Sequence, residues 1–114
     1  MPSPSTERGV IKKCVTYAKA RGAMHIRLTL RAGPSRGIPD HVFLGNGNMF
    51  FVEFKKPGGA TSKIQEHVIG KIRNAGVPVM VCDNFDDFRK HLSRAGIWSD
   101  YDHTGKIKHR LGRR

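Results

Sequence analysis

Three residues in the middle of the chain have side chains that could form part of a metal site: Asp40, Glu53 and Lys55. Asn46-Gly47, between them, is typical of a two-residue type I′ hairpin turn, because both central positions of that turn need positive φ. Such a turn pairs residues 45 and 48, and counting back along both strands places Asp40 opposite Glu53. Lys55 emerges on the same face as Glu53, because it lies two residues further along the strand.

Carboxylates directly opposite each other in a strand pair repel, so this arrangement favours a cation between them. A hard divalent ion with oxygen ligands is the natural candidate. Each piece also has a simpler interpretation: an Asp after a Pro can stabilise a turn, and Glu-Phe-Lys can be an exposed strand face. The combination favours the metal site, because apolar neighbours make the strand look buried on both sides, where unpaired charges are costly: Phe50, Phe51, Val52 and Phe54.

The first half of the chain supplies a helix and three strands. Ser3-Pro4 predicts a helix start and Gly22 its end, which gives a helix over about residues 4–21. Its apolar positions recur at helical spacing, and Glu7 shares a row with Ile11, so its carboxylate is expected to face the interior. Strands are predicted at about 24–30, 39–44 and 49–55, the first with four inward residues: Met24, Ile26, Leu28 and Leu30.

The second half alternates helix, strand and helix. Ser62 and Gln65 fit a capping box that begins a helix ending at Gly76. Its predicted buried row is Ile64, Val68, Ile72 and Ala75. The apolar run 77–82 predicts a central strand parallel to the third, and Asn84 caps a last helix that Gly96 ends. The result is an α/β protein of order αβββαβα, with a mixed central sheet flanked by helices over residues 1–98 and a basic, flexible tail over 99–114.

The charge of the chain indicates its partner. Its 114 residues include 21 Lys and Arg against 9 Asp and Glu, a net charge of +12, and such a field attracts polyanions, above all nucleic acid. We find no apolar run long enough for a membrane span, no secretory signal and no lipidation motif, so the cytoplasm is the expected compartment. No zinc-type histidine spacing and no nucleotide-binding loop is visible. Cys14 and Cys82 are expected to be buried, reduced thiols.

The central residues also carry a resemblance. The segment GIPDHVFLGNGNMFFVEFKKPGG, followed by SKIQEHVIGKIRNAGVPVMVCDN, closely resembles the virus-type replication-repair (VRR-NUC) branch of the PD-(D/E)XK nucleases, in its stand-alone phage or bacterial form. The similar positions are the Gly-x-Pro-Asp step ending at Asp40, the Glu-x-Lys step at Glu53 to Lys55, Gln65, and the upstream helical Glu7. The resemblance spans about residues 5–93 and implies a restriction-endonuclease-like αβββαβ core.

The resemblance implies a metal-dependent nuclease. In such enzymes the acidic residues, here Glu7, Asp40 and Glu53, bind Mg²⁺ or Mn²⁺ with help from a backbone carbonyl, here that of Phe54. The ion lowers the pKa of a water and stabilises charge on the phosphate, while Lys55 orients the nucleophile or neutralises the transition state. Gln65 either belongs to the site or closes the capping box with Ser62, and the two roles can coexist near the start of the helix. The cations expected to bind nucleic acid are Arg36, Lys56, Lys63, Lys106, Lys108, Arg110, Arg113 and Arg114.

Other functions are compatible with parts of this pattern. A non-catalytic basic nucleic-acid-binding protein would have the same charge, but it would gain nothing from converging carboxylates. A nuclease that reads a base sequence would need a recognition insertion, and a chain this short shows none. A flap or single-strand nuclease could use the same site, and the same residues could act on either DNA or RNA.

One set of metal ligands cuts one strand, so paired cuts need two copies of the chain. Closed two-fold symmetry is the commonest way to supply them. The resemblance points the same way, because free-standing members of this branch look like dimers that resolve junctions. We therefore expect a homodimer that acts on branched DNA, with the Holliday-type four-way junction as the favoured substrate.

Overall fold

A computed structural model describes residues 6–29 and 36–97 of the chain. The helices and strands follow one another in the predicted order: α1 Glu7–Ala20, β1 Met24–Arg27, β2 His41–Gly45, β3 Asn48–Phe54, α2 Lys63–Asn74, β4 Val79–Cys82 and α3 Phe85–Arg94. The predicted αβββαβ core, with a mixed sheet and flanking helices, is confirmed. The proposed tail, 99–114, lies outside the described residues and stays a prediction.

The four strands form one sheet in the order β1-β2-β3-β4. The first three are antiparallel neighbours, and β4 is parallel to β3, as expected for strands joined through α2. The prediction that β4 is central is wrong for the described sheet, because β4 lies at its edge and Val81 is 40% exposed. Its apolar sequence has another cause: Met80 and Cys82 enter the core on one face, while Val79 is buried on the other.

The β2–β3 hairpin has the predicted register. Asn46 and Gly47 both have positive φ, 53° and 79°, as a type I′ turn requires. Gly45 pairs with Asn48, and the pairing continues to His41 with Val52. Continuing this register by one residue places Asp40 opposite Glu53.

The core lies between α1, α3 and one face of the sheet. Its centre is aromatic: Phe43, Phe50 and Phe88 are fully buried, and their ring centroids are 5.0–6.2 Å apart. Rings that meet at such distances stabilise each other beyond the area that they bury. α1 and α3 cover this face of the sheet, whereas α2 lies on the opposite face, which carries Glu53 and Lys55.

The buried face of α2 differs from the predicted row. Ile69 is buried, whereas Ile64 is 42% exposed and Ala75 is also exposed. Gln65 lies one turn before Ile69 on the same side of the helix, and its side chain forms hydrogen bonds with Glu53 and Lys55. The side of α2 that faces the sheet is therefore the one with Gln65 and Ile69, not the predicted row. The capping box of Ser62 and Gln65 is present as predicted.

The first helix begins later than predicted. Thr6 is its N-cap and accepts a hydrogen bond from the N–H of Gly9 at 3.0 Å, and the predicted start at 3–4 lies outside the described residues. The prediction that Glu7 faces the interior is wrong, because Glu7 is exposed in the first turn, before the helix reaches the core at Val10.

The first strand also differs from its prediction. It ends at Arg27, Met24 is 57% exposed rather than inward, and Leu30 lies outside the described residues. The apolar side of β1 is poorly covered because α2 packs against β4, at the opposite edge of the sheet. The side that meets the aromatic core carries His25, whose ring lies 4.8 Å from that of Phe43.

The remaining local predictions are confirmed. Gly22, Gly76 and Gly96 directly follow the helix caps, and Asn84 caps α3. Cys14 and Cys82 are buried free thiols, and a hydrogen bond between them, together with burial, raises the pKa of Cys14. No helix in the described part of the chain is long and apolar enough to cross a membrane.

Candidate metal and phosphodiester site

Glu53, Lys55 and Gln65 form one half-buried polar network on the α2 face of the sheet. The Lys55 ammonium donates to Gln65 Oε1 at 2.7 Å and lies 3.5 Å from Glu53 Oε2. Gln65 Nε2 donates to the same Glu53 oxygen at 3.0 Å. The side chains of Glu53 and Lys55 are only 13% and 17% exposed. Each of the three side chains in the network therefore contacts the other two and has little room to move.

Gln65 closes the capping box and also contacts Glu53 and Lys55. Its backbone N–H donates to Ser62 Oγ at 3.1 Å, and its Oε1 accepts from the Ser62 N–H at 2.9 Å, which completes the capping box. The same Oε1 accepts from Lys55, so the start of α2 and the ammonium share one acceptor. The capping box therefore fixes the side chain that orients Glu53 and Lys55.

Negative charge accumulates around Glu53. Burial is the main cause that raises the pKa of this carboxyl, and the nearby charges of Asp40 and Glu7 raise it further. Lys55 opposes them through its charge and its hydrogen bond. The positive charge of Lys55 thus does not fully offset the effects that raise the pKa of Glu53, and a bound cation would favour the ionised carboxylate.

The structure brings the three predicted carboxylates to one region without grouping them tightly. Asp40 lies opposite Glu53, and the exposed Glu7 is near enough for its charge to act on Glu53. Within residues 6–29 and 36–97, no three His, Cys, Asp or Glu side chains are close enough together to hold a metal ion. The arrangement fits an ion such as Mg²⁺, which keeps several waters and takes only one or two carboxylates.

The backbone supplies a further oxygen of the kind such an ion takes. The N–H of Lys55 donates to the carbonyl oxygen of Cys82 in β4 at 2.8 Å. The carbonyl of Phe54 belongs to the same peptide unit as this N–H and therefore points the opposite way, toward β2. The β2–β3 register is observed as far as His41 with Val52, and counting two residues further along both chains leads to Pro39 and Phe54. A proline has no N–H to donate to this carbonyl. A metal ion held by Asp40 and Glu53 could therefore take the Phe54 carbonyl as a further oxygen ligand.

Asp40 has polar neighbours that the sequence did not reveal. Arg27 lies 3.4 Å from Asp40 Oδ2, and Nε2 of His41 lies 3.6 Å from Oδ1. The other ring nitrogen of His41, Nδ1, forms a 2.9 Å hydrogen bond with Nε2 of His25. The contacts of Arg27 with Asp40 and of His25 with His41 depend on the β1–β2 register, and the long connection between those strands contains no two-residue hairpin turn from which to count it.

The predicted nucleic-acid-binding cations are only partly described. Arg36, Lys56 and Lys63 are exposed, and Lys56 and Lys63 lie close in sequence to the network, directly after Lys55 and at the first position of α2. The five tail cations, Lys106, Lys108, Arg110, Arg113 and Arg114, lie outside the described residues.

The chain matches no protein-family model, and no curated protein is significantly similar to it.

Proposed function

We propose that this chain is a Mg²⁺- or Mn²⁺-dependent nuclease that hydrolyses phosphodiester bonds in DNA. The observation that carries the proposal is the fixed Glu53–Lys55–Gln65 network, with Asp40 on the opposite strand. A half-buried carboxylate and ammonium are costly to keep, so their retention beside further carboxylates favours a role in chemistry. The resemblance to VRR-NUC nucleases at these same positions supports the same conclusion.

Hydrolysis joins a water oxygen to phosphorus and breaks one ester P–O bond. A divalent ion bound here would polarise the phosphate and lower the pKa of the attacking water. Asp40, Glu53 and the Phe54 carbonyl would hold that ion. Lys55 has three N–H donors, and within the described part of the chain Gln65 and Glu53 engage two of them. The third could stabilise charge on the phosphate or hold the nucleophile.

A purely nucleic-acid-binding role accounts for the basic surface but not for the network. A phosphate-binding surface gains affinity from cations, and each carboxylate placed among them reduces it. Glu53 is half-buried, and burial and two nearby carboxylates raise its pKa, an arrangement that phosphate binding alone does not explain.

The test is cleavage of a DNA panel, comprising single-stranded, duplex, flapped and four-way substrates, with and without Mg²⁺ or Mn²⁺. Asp40→Ala, Glu53→Ala and Lys55→Ala should abolish cleavage while folding and DNA binding survive. Two exposed α2 residues provide matched controls, since Glu66→Ala and Lys71→Ala remove the same charges away from the network. Full activity in EDTA or in Lys55→Ala would refute the mechanism.

Metal binding can be tested without activity. An ion that binds only the native state raises the melting temperature, by an amount set by its concentration relative to Kd. Mn²⁺ should therefore stabilise the wild type and have a much smaller effect on Asp40→Asn, which lacks one of the charges. Equal shifts in the two proteins would show that Asp40 is not part of the site.

Within this proposal, the working unit is a homodimer and the favoured substrate is a four-way DNA junction. The reason is the single site in each chain, because symmetric nicks in two strands require two sites related by a two-fold axis. The mass in solution should be twice 12.7 kDa in moderate salt, and junction cleavage should give paired nicks in opposing strands. A monomer that cuts flaps or single strands faster than junctions would leave only the general nuclease proposal.

A further inference from the structure

The residues around Asp40 suggest which of its two oxygens receives a metal ion. Among the described residues, His41 is the one polar or charged side chain that is fully buried, at 2% exposure. Its ring packs edge-on against Phe54, with the centroids 4.9 Å apart, and its plane lies within 16° of that of the His25 ring, at 5.1 Å between centroids. A buried imidazole in such surroundings needs partners for both ring nitrogens.

The two contacts of His41 determine where its proton lies. A neutral imidazole has one N–H and one bare nitrogen. If Nδ1 carried the proton and donated to His25, the lone pair of Nε2 would point at the Asp40 carboxylate, 3.6 Å away, and the two would repel. If His25 Nε2–H donates to His41 Nδ1 instead, the proton of His41 is on Nε2 and faces Asp40 Oδ1. A protonated His41 would also present Nε2–H to Asp40.

The two oxygens of Asp40 therefore differ. Oδ1 faces the buried His41, which the core holds in place. Oδ2 faces Arg27, whose side chain is 66% exposed and whose ion pair at 3.4 Å is weak and readily screened. A divalent ion can displace an exposed arginine far more easily than a buried ring.

We propose that His41, oriented by His25, is a positioning residue for Asp40: it presents Nε2–H to Oδ1 and leaves Oδ2 as the oxygen that binds the metal. This inference rests on the proposed metal-dependent function. Partners of this kind commonly fix the orientation of metal-binding carboxylates, and their removal typically lowers metal affinity about 10- to 100-fold. The opposite sign is expected at Arg27, because its removal frees Oδ2 and removes a positive charge near the ion.

The first measurement needs neither metal nor activity. Long-range ¹H–¹⁵N correlation spectra of the metal-free full chain at neutral pH report which imidazole nitrogens carry protons. We expect protonated Nε2 and bare Nδ1 in His41, and protonated Nε2 in His25. A proton on His41 Nδ1 with a bare Nε2 would overturn the proposal, whatever the protein does with DNA.

The second measurement is the affinity for Mn²⁺ alone, by isothermal titration of folded variants. His41→Leu should weaken binding at least about 10-fold, and His41→Gln should restore most of it, because its amide nitrogen is the same number of bonds from Cβ as the ring Nε2. Arg27→Ala should bind Mn²⁺ more tightly than the wild type, and weaker binding would contradict the assignment of Oδ2. His91→Leu is the control, since His91 is a half-buried histidine that likewise packs against a core ring, that of Phe50, with the centroids 4.5 Å apart.

The outcomes separate this inference from the proposed function. A wild type that binds Mn²⁺ and cuts DNA, with unchanged affinity in His41→Leu, would refute only the positioning role. A wild type that neither binds the ion nor cleaves would refute the proposed function and the metal role of Oδ2 together. If His41→Leu does not fold, the proton positions in the wild type and the affinity of Arg27→Ala still decide the matter.

Discussion

Replacement of Gln65 by Ala tests whether one side chain links the start of α2 to the proposed site. The substitution removes three hydrogen bonds: from Lys55 at 2.7 Å, from the Ser62 N–H at 2.9 Å and to Glu53 at 3.0 Å. The exposed cap bond contributes about 0.5 kcal/mol and each bond to a charged group about 1.5 kcal/mol or more. Glu53 and Lys55 keep their contact with each other and gain water, so we expect the unfolding free energy to fall by about 2 kcal/mol.

Ser62→Ala is the matched variant for this prediction. It removes the acceptor of the Gln65 N–H and should cost about 1 kcal/mol, as other N-cap losses do, but it leaves the side chain of Gln65 in contact with Glu53 and Lys55. Urea unfolding gives both stabilities, and single-turnover cleavage under conditions where both variants are folded gives the chemistry. Gln65→Ala should cleave about 10-fold or more slowly, whereas Ser62→Ala should stay near the wild-type rate.

The comparison can fail in two informative ways. Equal slowing in both variants would mean that Gln65 acts only by starting the helix. An unimpaired rate in Gln65→Ala would mean that Glu53 and Lys55 hold their geometry without it.

Three further predictions follow from other parts of the chain. In urea unfolding, Gly37→Ala should destabilise the fold more than Gly58→Ala. Both glycines have positive φ, but a Cβ at Gly37 would lie 2.7 Å from Ile64 Cγ2, whereas a Cβ at Gly58 would meet open space. Equal losses of unfolding free energy would contradict this. The unfolding free energy of Glu53→Gln should rise relative to that of the wild type as the pH increases above about 4.5. The pKa of Glu53 is raised in the folded state, so ionisation of this carboxyl destabilises the folded wild type relative to its unfolded chain, whereas Gln stays neutral. Parallel pH–stability curves would refute this. Deleting residues 103–114 should weaken DNA binding and reduce its salt dependence by up to about five charges' worth, and an unchanged slope would exclude contact between the tail and nucleic acid.

Local signals in the sequence were sufficient for the central part of the site. Asn46-Gly47 selects a turn type that accepts positive φ, and the turn sets the strand register by itself. The opposition of Asp40 and Glu53 follows by counting residues, and the shared face of Glu53 and Lys55 follows from the pleat. The capping box of Ser62 and Gln65 was equally predictable, because it spans only three residues.

Only the tertiary structure decided which side chains meet across long stretches of chain. His25 and His41 belong to strands joined by a long connection rather than by a tight hairpin turn, so nothing local set their pairing. The rotation of α2 toward Ile69 depends on what the helix packs against, which its own periodicity does not contain. The exposure of Glu7 has the same origin, because a helix row is buried only as far as another element covers it. Turns and caps act within a few residues, whereas pairing and coverage depend on where distant elements come to lie.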